Sequence, residues 1–142
     1  MFSHLIVGWD GSDLSERAVN VAAEVAQRFG ARLEIVEIIE PVPHRGPDRA
    51  ERDAERAAQI DRARSPLERC KRRGVEATFR LAEGNDIAQA LAAEAHRSGA
   101  DLLVLGHPAS GGLERRLAGD VAERVIRTAT IPILVVGDQS RT

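Results

Sequence analysis

Two stretches of this chain carry residue types suited to handling a charged small molecule. The longer is LLVLGHPASGGLERRLAGDVAERVIRTATIPILVV, residues 102–136. It reads as an apolar strand, a glycine-rich loop, a helix and a second apolar strand. The backbone amides of such a loop and the positive end of the following helix converge on an anion. Gly106 and Gly119 either let the backbone approach a phosphate closely or only satisfy turn geometry at a strand end and a helix start. His107 can reach a phosphate or simply face solvent. The shorter stretch is Trp9-Asp10-Gly11-Ser12, a turn. Trp9, the only tryptophan, can stack on a base or cover the end of a sheet. Asp10 can contact a ligand or merely shape the turn with Gly11.

Residues able to break bonds are harder to find. There is no Gly-x-Ser-x-Gly nucleophile turn, no Ser/His/Asp arrangement and no lysine-containing phosphate loop. His4, His44 and His96 show no metal-ligand spacing with one another, with Cys70 or with the carboxylates. The chemistry therefore reads as binding, with a slow ATPase as the one enzymatic alternative.

The elements that must position these residues alternate along the chain. Leu5-Ile6-Val7, bounded by Gly8, suits a strand buried on both faces. Ser12 is a fair N-cap for a helix whose Leu14, Ala18, Val21, Ala22, Val25 and Phe29 recur at helical spacing, and Gly30 stops it. RLEIVEII, 32–39, is a second strand and EPVPHRGP, 40–47, a loop. Residues 48–73 read as a helix with most of its charges solvated, interrupted at Pro66. There Ser65, Pro66 and Glu68 resemble a fresh start with a capping box. VEATFRLA, 75–82, is a third strand. Asn85 is the expected cap of a helix over 86–98, and LLVLG is the fourth strand. A loop from His107 to Ala118 should precede a helix at about 120–129, with Asp120 as N-cap and Glu123 closing its capping box. IPILVV, 131–136, is the fifth strand.

Strands alternating with helices predict an α/β fold in which a parallel sheet is covered on both faces by right-handed crossovers. Ligands then bind beyond the carboxyl ends of the strands, where strand order reverses. If the first and fourth strands are neighbours, Trp9-Asp10-Gly11 and Gly106-His107 face each other there. The chain has 142 residues, 43% hydrophobic and 30% charged, which suits one globular domain over 1–142. Its net charge of −2 gives no electrostatic case for nucleic acid. No apolar run approaches the ~20 residues of a membrane helix and no signal peptide is visible, so a cytoplasmic location is expected.

With these residues in place the chain resembles the universal stress protein family. HLIVGWDGSDLSERAV resembles that family's opening strand, turn and helix. LAEGNDIAQALAAEAHRSGADLLVLG resembles its helix-then-strand segment, and GHPASGGLERRLAGDVAERVIRTATIPILVV its nucleotide loop, last helix and last strand. The resemblance implies a single open, doubly wound, five-stranded parallel sheet in the order 3-2-1-4-5, and a homodimer joined through the last strand. Many members bind ATP through a loop of glycine, two residues, glycine, nine residues, glycine, then serine or threonine. On this chain the first glycine is Gly106 and the third Gly119, but Ala109 and Asp120 hold the other two positions. The adenine and ribose contacts fall on Gly8, Asp10 and Ile38, where Asp10 would accept from ribose hydroxyls. The candidate site is thus Gly8, Trp9, Asp10, Ile38, Gly106, His107, Ala109, Gly119, Asp120 and Val121.

Asp120 opposes this reading. An ionised aspartate only accepts hydrogen bonds. At ~4 Å and an effective dielectric near 20, it repels each phosphate charge by ~4 kcal/mol before screening, against ~8 kcal/mol for a micromolar affinity. A bridging magnesium ion offsets part of this, and Arg115 and Arg116 lie close in sequence. Two readings stand: a stress-response protein regulated by a bound adenine nucleotide, or the same fold as a dimeric interaction module that binds none.

Overall fold

Apolar side chains on successive strand residues point to opposite faces, and this chain fills both. In the computed structural model, which describes residues 1–41, 49–107 and 113–138 (backbone only over 113–120), the elements run β1(His4–Gly8), α1(Asp13–Phe29), β2(Arg32–Ile39), α2(Arg49–Arg62), α3(Arg64–Arg72), β3(Ala77–Glu83), α4(Ile87–Ser98), β4(Leu102–His107), α5(Leu113–Thr128) and β5(Ile133–Gly137). All strand pairs are parallel, in the order β3-β2-β1-β4-β5. Fold class and strand order are therefore as the sequence leads one to expect.

Leu5, Val7, Leu33, Ile35, Leu102 and Val104 bury one face under α1 and α3. Ile6, Val36, Leu103 and Leu105 bury the other against α4 and α5. Each fully buried Leu, Ile or Val contributes about 1.5–3 kcal/mol, so the central strands hold the fold. On α1, Ala18, Ala22 and Ala26 are fully buried; their small size lets the helix lie close to the sheet. Ser12 caps α1 by accepting from Ser15 N, and Gly30 ends it at φ 66°, a left-handed conformation that a Cβ disfavours.

Several expected boundaries move, each for a local reason. The break in the long helix falls at Ala63, and Ser65 is not its cap. The ring of Pro66 conflicts with the carbonyl four residues back, that of Arg62, so α2 stops there. Pro66 then sits in the first turn of α3, where its missing N–H costs nothing. Asp86, not Asn85, caps α4, accepting from Gln89 N at 3.2 Å. The fifth strand begins at Ile133 rather than 131, after Pro132, which has no N–H to pair.

The largest correction concerns α5. It begins at Leu113, not near 120, so Gly119 and Asp120 lie within the helix and Asp120 is not its N-cap. Leu113, Leu117, Val121 and Val125 recur every four residues, and this periodicity outweighs a single glycine, worth about 1 kcal/mol. Val125 is fully buried and Val121 half-buried.

Candidate functional site

The crevice opens where β1 lets go of β4. Their register runs from Leu5↔Leu102 to Val7↔Val104 and stops. Beyond it β1 stays with β2, through Gly8↔Val36 and a hydrogen bond from Trp9 N to Val36 O of 2.9 Å. β4 stays with β5, through Gly106↔Val136 and His107↔Gly137. Gly8, Trp9 and Asp10 thus form one lip, and Gly106 and His107 the other.

Neither Gly8 nor Gly106 adopts a left-handed conformation; both are small because neighbours fill the space. A Cβ on Gly8 would stand 2.9 Å from Leu105 Cδ2, and one on Gly106 2.7 Å from Leu14 Cγ. Gly11 does need its freedom, at φ 81°. It lets Asp10 fold back so that Oδ1 accepts from Ser12 N at 2.9 Å. Ser15 Oγ accepts from Asp10 N at 3.3 Å and donates to Ser12 O at 2.9 Å. Burial alone would raise the Asp10 carboxyl, but the bonds from Ser12 and Ser15 and the charge of Arg62 hold it below the usual carboxylate range. Asp10 is therefore an ionised, exposed acceptor at the mouth of the crevice.

Two nitrogens at these lips lack partners. Among the described residues, Trp9 Nε1 and His107 Nδ1 are buried and make no hydrogen bond. Such atoms cost about 1–3 kcal/mol each. Trp9 is only 4% exposed, so its ring covers the sheet end in this structure. Ile38, near the end of β2, packs with Ile6 and Leu105 on the α4/α5 face. Val121 joins the same face from α5. Gly8, Trp9, Asp10, Gly106 and His107 come together at the crevice; Ile38 and Val121 stand behind it. Ala109 lies outside the described residues, as does the side chain of Asp120.

Composition did not point to the next part of the site. Glu37 on β2 is buried, and Arg62 NH2 donates to its Oε2 at 3.1 Å and Gln59 Nε2 at 3.4 Å. Burial pushes the Glu37 carboxyl up; Arg62 opposes this and Asp10 adds to it. The Arg62 guanidinium lies across Gly11, 2.6 Å from where a Cβ would be. The signal was an acidic residue in the buried register of RLEIVEII. An open groove of about 530 Å³ follows the outer side of α1 past Leu14, Arg17, Asn20 and Arg73.

A model of the universal stress protein family matches residues 1–137. The chain belongs to that family. This universal stress protein is 32% identical to one from Methanocaldococcus jannaschii over 145 residues, covering 96% of this chain and 82% of the relative. A solved family member from Burkholderia pseudomallei superposes with a TM-score of 0.75 at 31% identity, over 95% of this chain and 96% of that one. Another universal stress protein, solved in complex with cAMP, gives a TM-score of 0.73 at 29% identity over 95% and 96%.

Proposed function

We propose that this protein binds an adenine nucleotide at the β1/β4 crevice as a regulatory ligand. The observation that carries the reading is the pair of buried, unpartnered nitrogens, Trp9 Nε1 and His107 Nδ1, on the two lips where β1 leaves β4. The relative solved with cAMP supports the ligand class. Asp10 takes the sugar hydroxyls, its carboxylate kept ionised for that purpose. Gly8, Trp9 and Ile38 flank the base, and Gly106, His107, Ala109, Gly119, Asp120 and Val121 lie on the phosphate side. No cluster of three metal-ligating side chains forms among the described residues; in this reading magnesium enters on the phosphates of ATP. No helix among them is long and apolar enough to cross a membrane. The assembly is a homodimer joined through the edge strand β5.

One observation favours the second reading, a dimeric interaction module without nucleotide. Gly119 and Asp120 lie six and seven residues into α5. Only the first four amides of a helix are free, so theirs are spent within the helix and offer a phosphate nothing. Calorimetric titration with AMP, cAMP and ATP-magnesium, alongside Trp9 fluorescence, separates the readings. Heat and a fluorescence change at micromolar to millimolar nucleotide support the first; silence from all three at millimolar concentration sinks it.

A further inference from the structure

Among the described residues, helix α2 is attached to the rest of the molecule differently from the other helices. It contains no buried residue, and Ile60, its largest apolar side chain, is 51% exposed. The partly covered positions Arg52, Arg56 and Gln59 fall at helical spacing on one side, and all three are polar. Among the described residues the links from α2 to the sheet are charged or polar: Arg56 NH2 to Glu83 Oε1 at 2.5 Å, and Arg62 and Gln59 to Glu37. Arg56 Nε is buried there without a partner among the described residues. Glu37 and Glu83 stand near and at the carboxyl ends of β2 and β3, so α2 lies over the edge of the sheet that leads into the crevice. Trp9 extends the β1–β2 ladder one residue past Gly8↔Val36, which sets its backbone beside Glu37, the acceptor of Arg62.

A helix ordinarily docks by burying an apolar stripe, which salt does not weaken. The Arg56–Glu83 pair is half-exposed and so is the Arg62 side of the pair with the buried Glu37; exposed ion pairs contribute little, and they weaken as the screening length falls from about 8 Å at physiological salt to about 3 Å at 1 M. We propose that α2 is a charge-latched lid: its ion pairs to Glu37 and Glu83 close the carboxyl edge over Trp9, and their release opens it while the sheet stays folded. Ala63, fully buried between α2 and α3, is the fixed point about which the lid turns. No residue of α2 belongs to either hydrophobic core, although Trp9 itself is part of the one on the α1/α3 face, so opening α2 sacrifices little apolar burial. The inference rests on the proposed nucleotide site only in naming what the lid covers.

The test needs no nucleotide. Acrylamide, a neutral quencher, reads access to the single tryptophan, and amide hydrogen exchange reads α2 directly. In the native chain, raising NaCl from about 0.05 to 1 M should increase Trp9 quenching several-fold. It should also speed exchange across 49–62 at least tenfold, with the α3 amides unchanged. Arg56→Gln/Arg62→Gln, and separately Glu37→Gln/Glu83→Gln, should show the open values at every salt concentration with the thermal transition retained. Arg69→Gln, which breaks the α3 pair with Glu16, should leave α2 and Trp9 as in the native chain. Slow, salt-independent exchange in α2, or a Trp9 equally shielded in both double variants, overturns the lid. Adding AMP to the same samples reports on the other reading: if AMP binds none of them, the nucleotide assignment fails while exchange and quenching still decide the lid.

Discussion

Gly106→Ala tests why a glycine ends the fourth strand. The added Cβ would stand 2.7 Å from Leu14 Cγ and 3.3 Å from both of its Cδ atoms, where carbon atoms prefer about 3.5–4.0 Å. Either Leu14 changes rotamer or the start of α1 lifts from the sheet. Overpacking of this kind costs about 1–3 kcal/mol. Leu14 is only half-buried, so the lower half of that range is expected. With about 2–4 °C per kcal/mol for a chain of this size, the melting temperature should fall by a few degrees. In a Leu14→Ala background the obstruction is gone and the new methyl enters vacated space. Gly106→Ala should there be neutral or stabilising by up to about 0.8 kcal/mol, the value of one buried methylene. Urea unfolding of the four proteins, followed by far-ultraviolet circular dichroism, gives the coupling energy. Costs that agree within about 0.5 kcal/mol in the two backgrounds would refute the packing argument. AMP calorimetry on the same proteins asks the other question. If the Gly106 backbone must meet a phosphate, affinity falls in both backgrounds, whatever the stability does.

Three further changes probe charge and assembly. Asp10, held low by its hydrogen bonds, contributes stability that is present above its unfolded value of about 3.9 and is lost as pH falls through the folded value. Asp10→Asn should therefore lower the urea midpoint at pH 7 and matter less at pH 3; an equal deficit at both contradicts this. Glu37, raised by burial, has the opposite sign, its contribution being present below its unfolded value and lost as pH rises. Asp120→Ser removes a negative charge from the proposed phosphate side and should tighten ATP about tenfold while leaving adenosine nearly unchanged. Equal effects on the two ligands would show that charge is not the obstacle. Val135, 39% exposed on β5, should support the dimer. Light scattering is expected to give twice 15.4 kDa for the native chain and the monomer for Val135→Lys, and a native monomer at micromolar concentration rules the β5 dimer out.

The residues told most about the sheet and least about its upper edge. Runs such as LIV and LLVL announce strands covered on both faces, and β2 was legible to its end residues because turn and loop signals bound it on each side. The Ser12 cap and Gly30 stop were equally plain, since each is a local backbone matter. The start of α5 was misplaced because Gly119-Asp120 looks like a helix boundary. Two local signals were weighed above a four-residue periodicity that begins at Leu113. The α2 charges read as solvated, and many are, but Arg56 and Arg62 reach carboxylates that only the fold brings near. Glu83 is 27 positions from Arg56 and Glu37 is 25 from Arg62, separations that no helical or strand period connects. The reason for glycine at positions 8 and 106 was also hidden. The sequence suggested backbone approach or turn geometry for Gly106 and a strand boundary for Gly8, whereas the side chains of Leu14 and Leu105 occupy the space.

The seating of Leu14 on Gly106 gives α1 a second task. The β1–β4 ladder is short, from Leu5↔Leu102 to Val7↔Val104, while β2 and β3 pair from Leu33↔Ala77 to Ile39↔Glu83. The two halves of the sheet are thus weakly sewn by backbone alone at the seam between them. α1 bridges that seam as a girder, resting on β1 along Ala18 and Ala22 and on β4 at Gly106. The gap between the lips is then set by the thickness of small side chains under one helix. Widening or narrowing the mouth becomes a matter of shimming α1, with the residues on the lips left as they are.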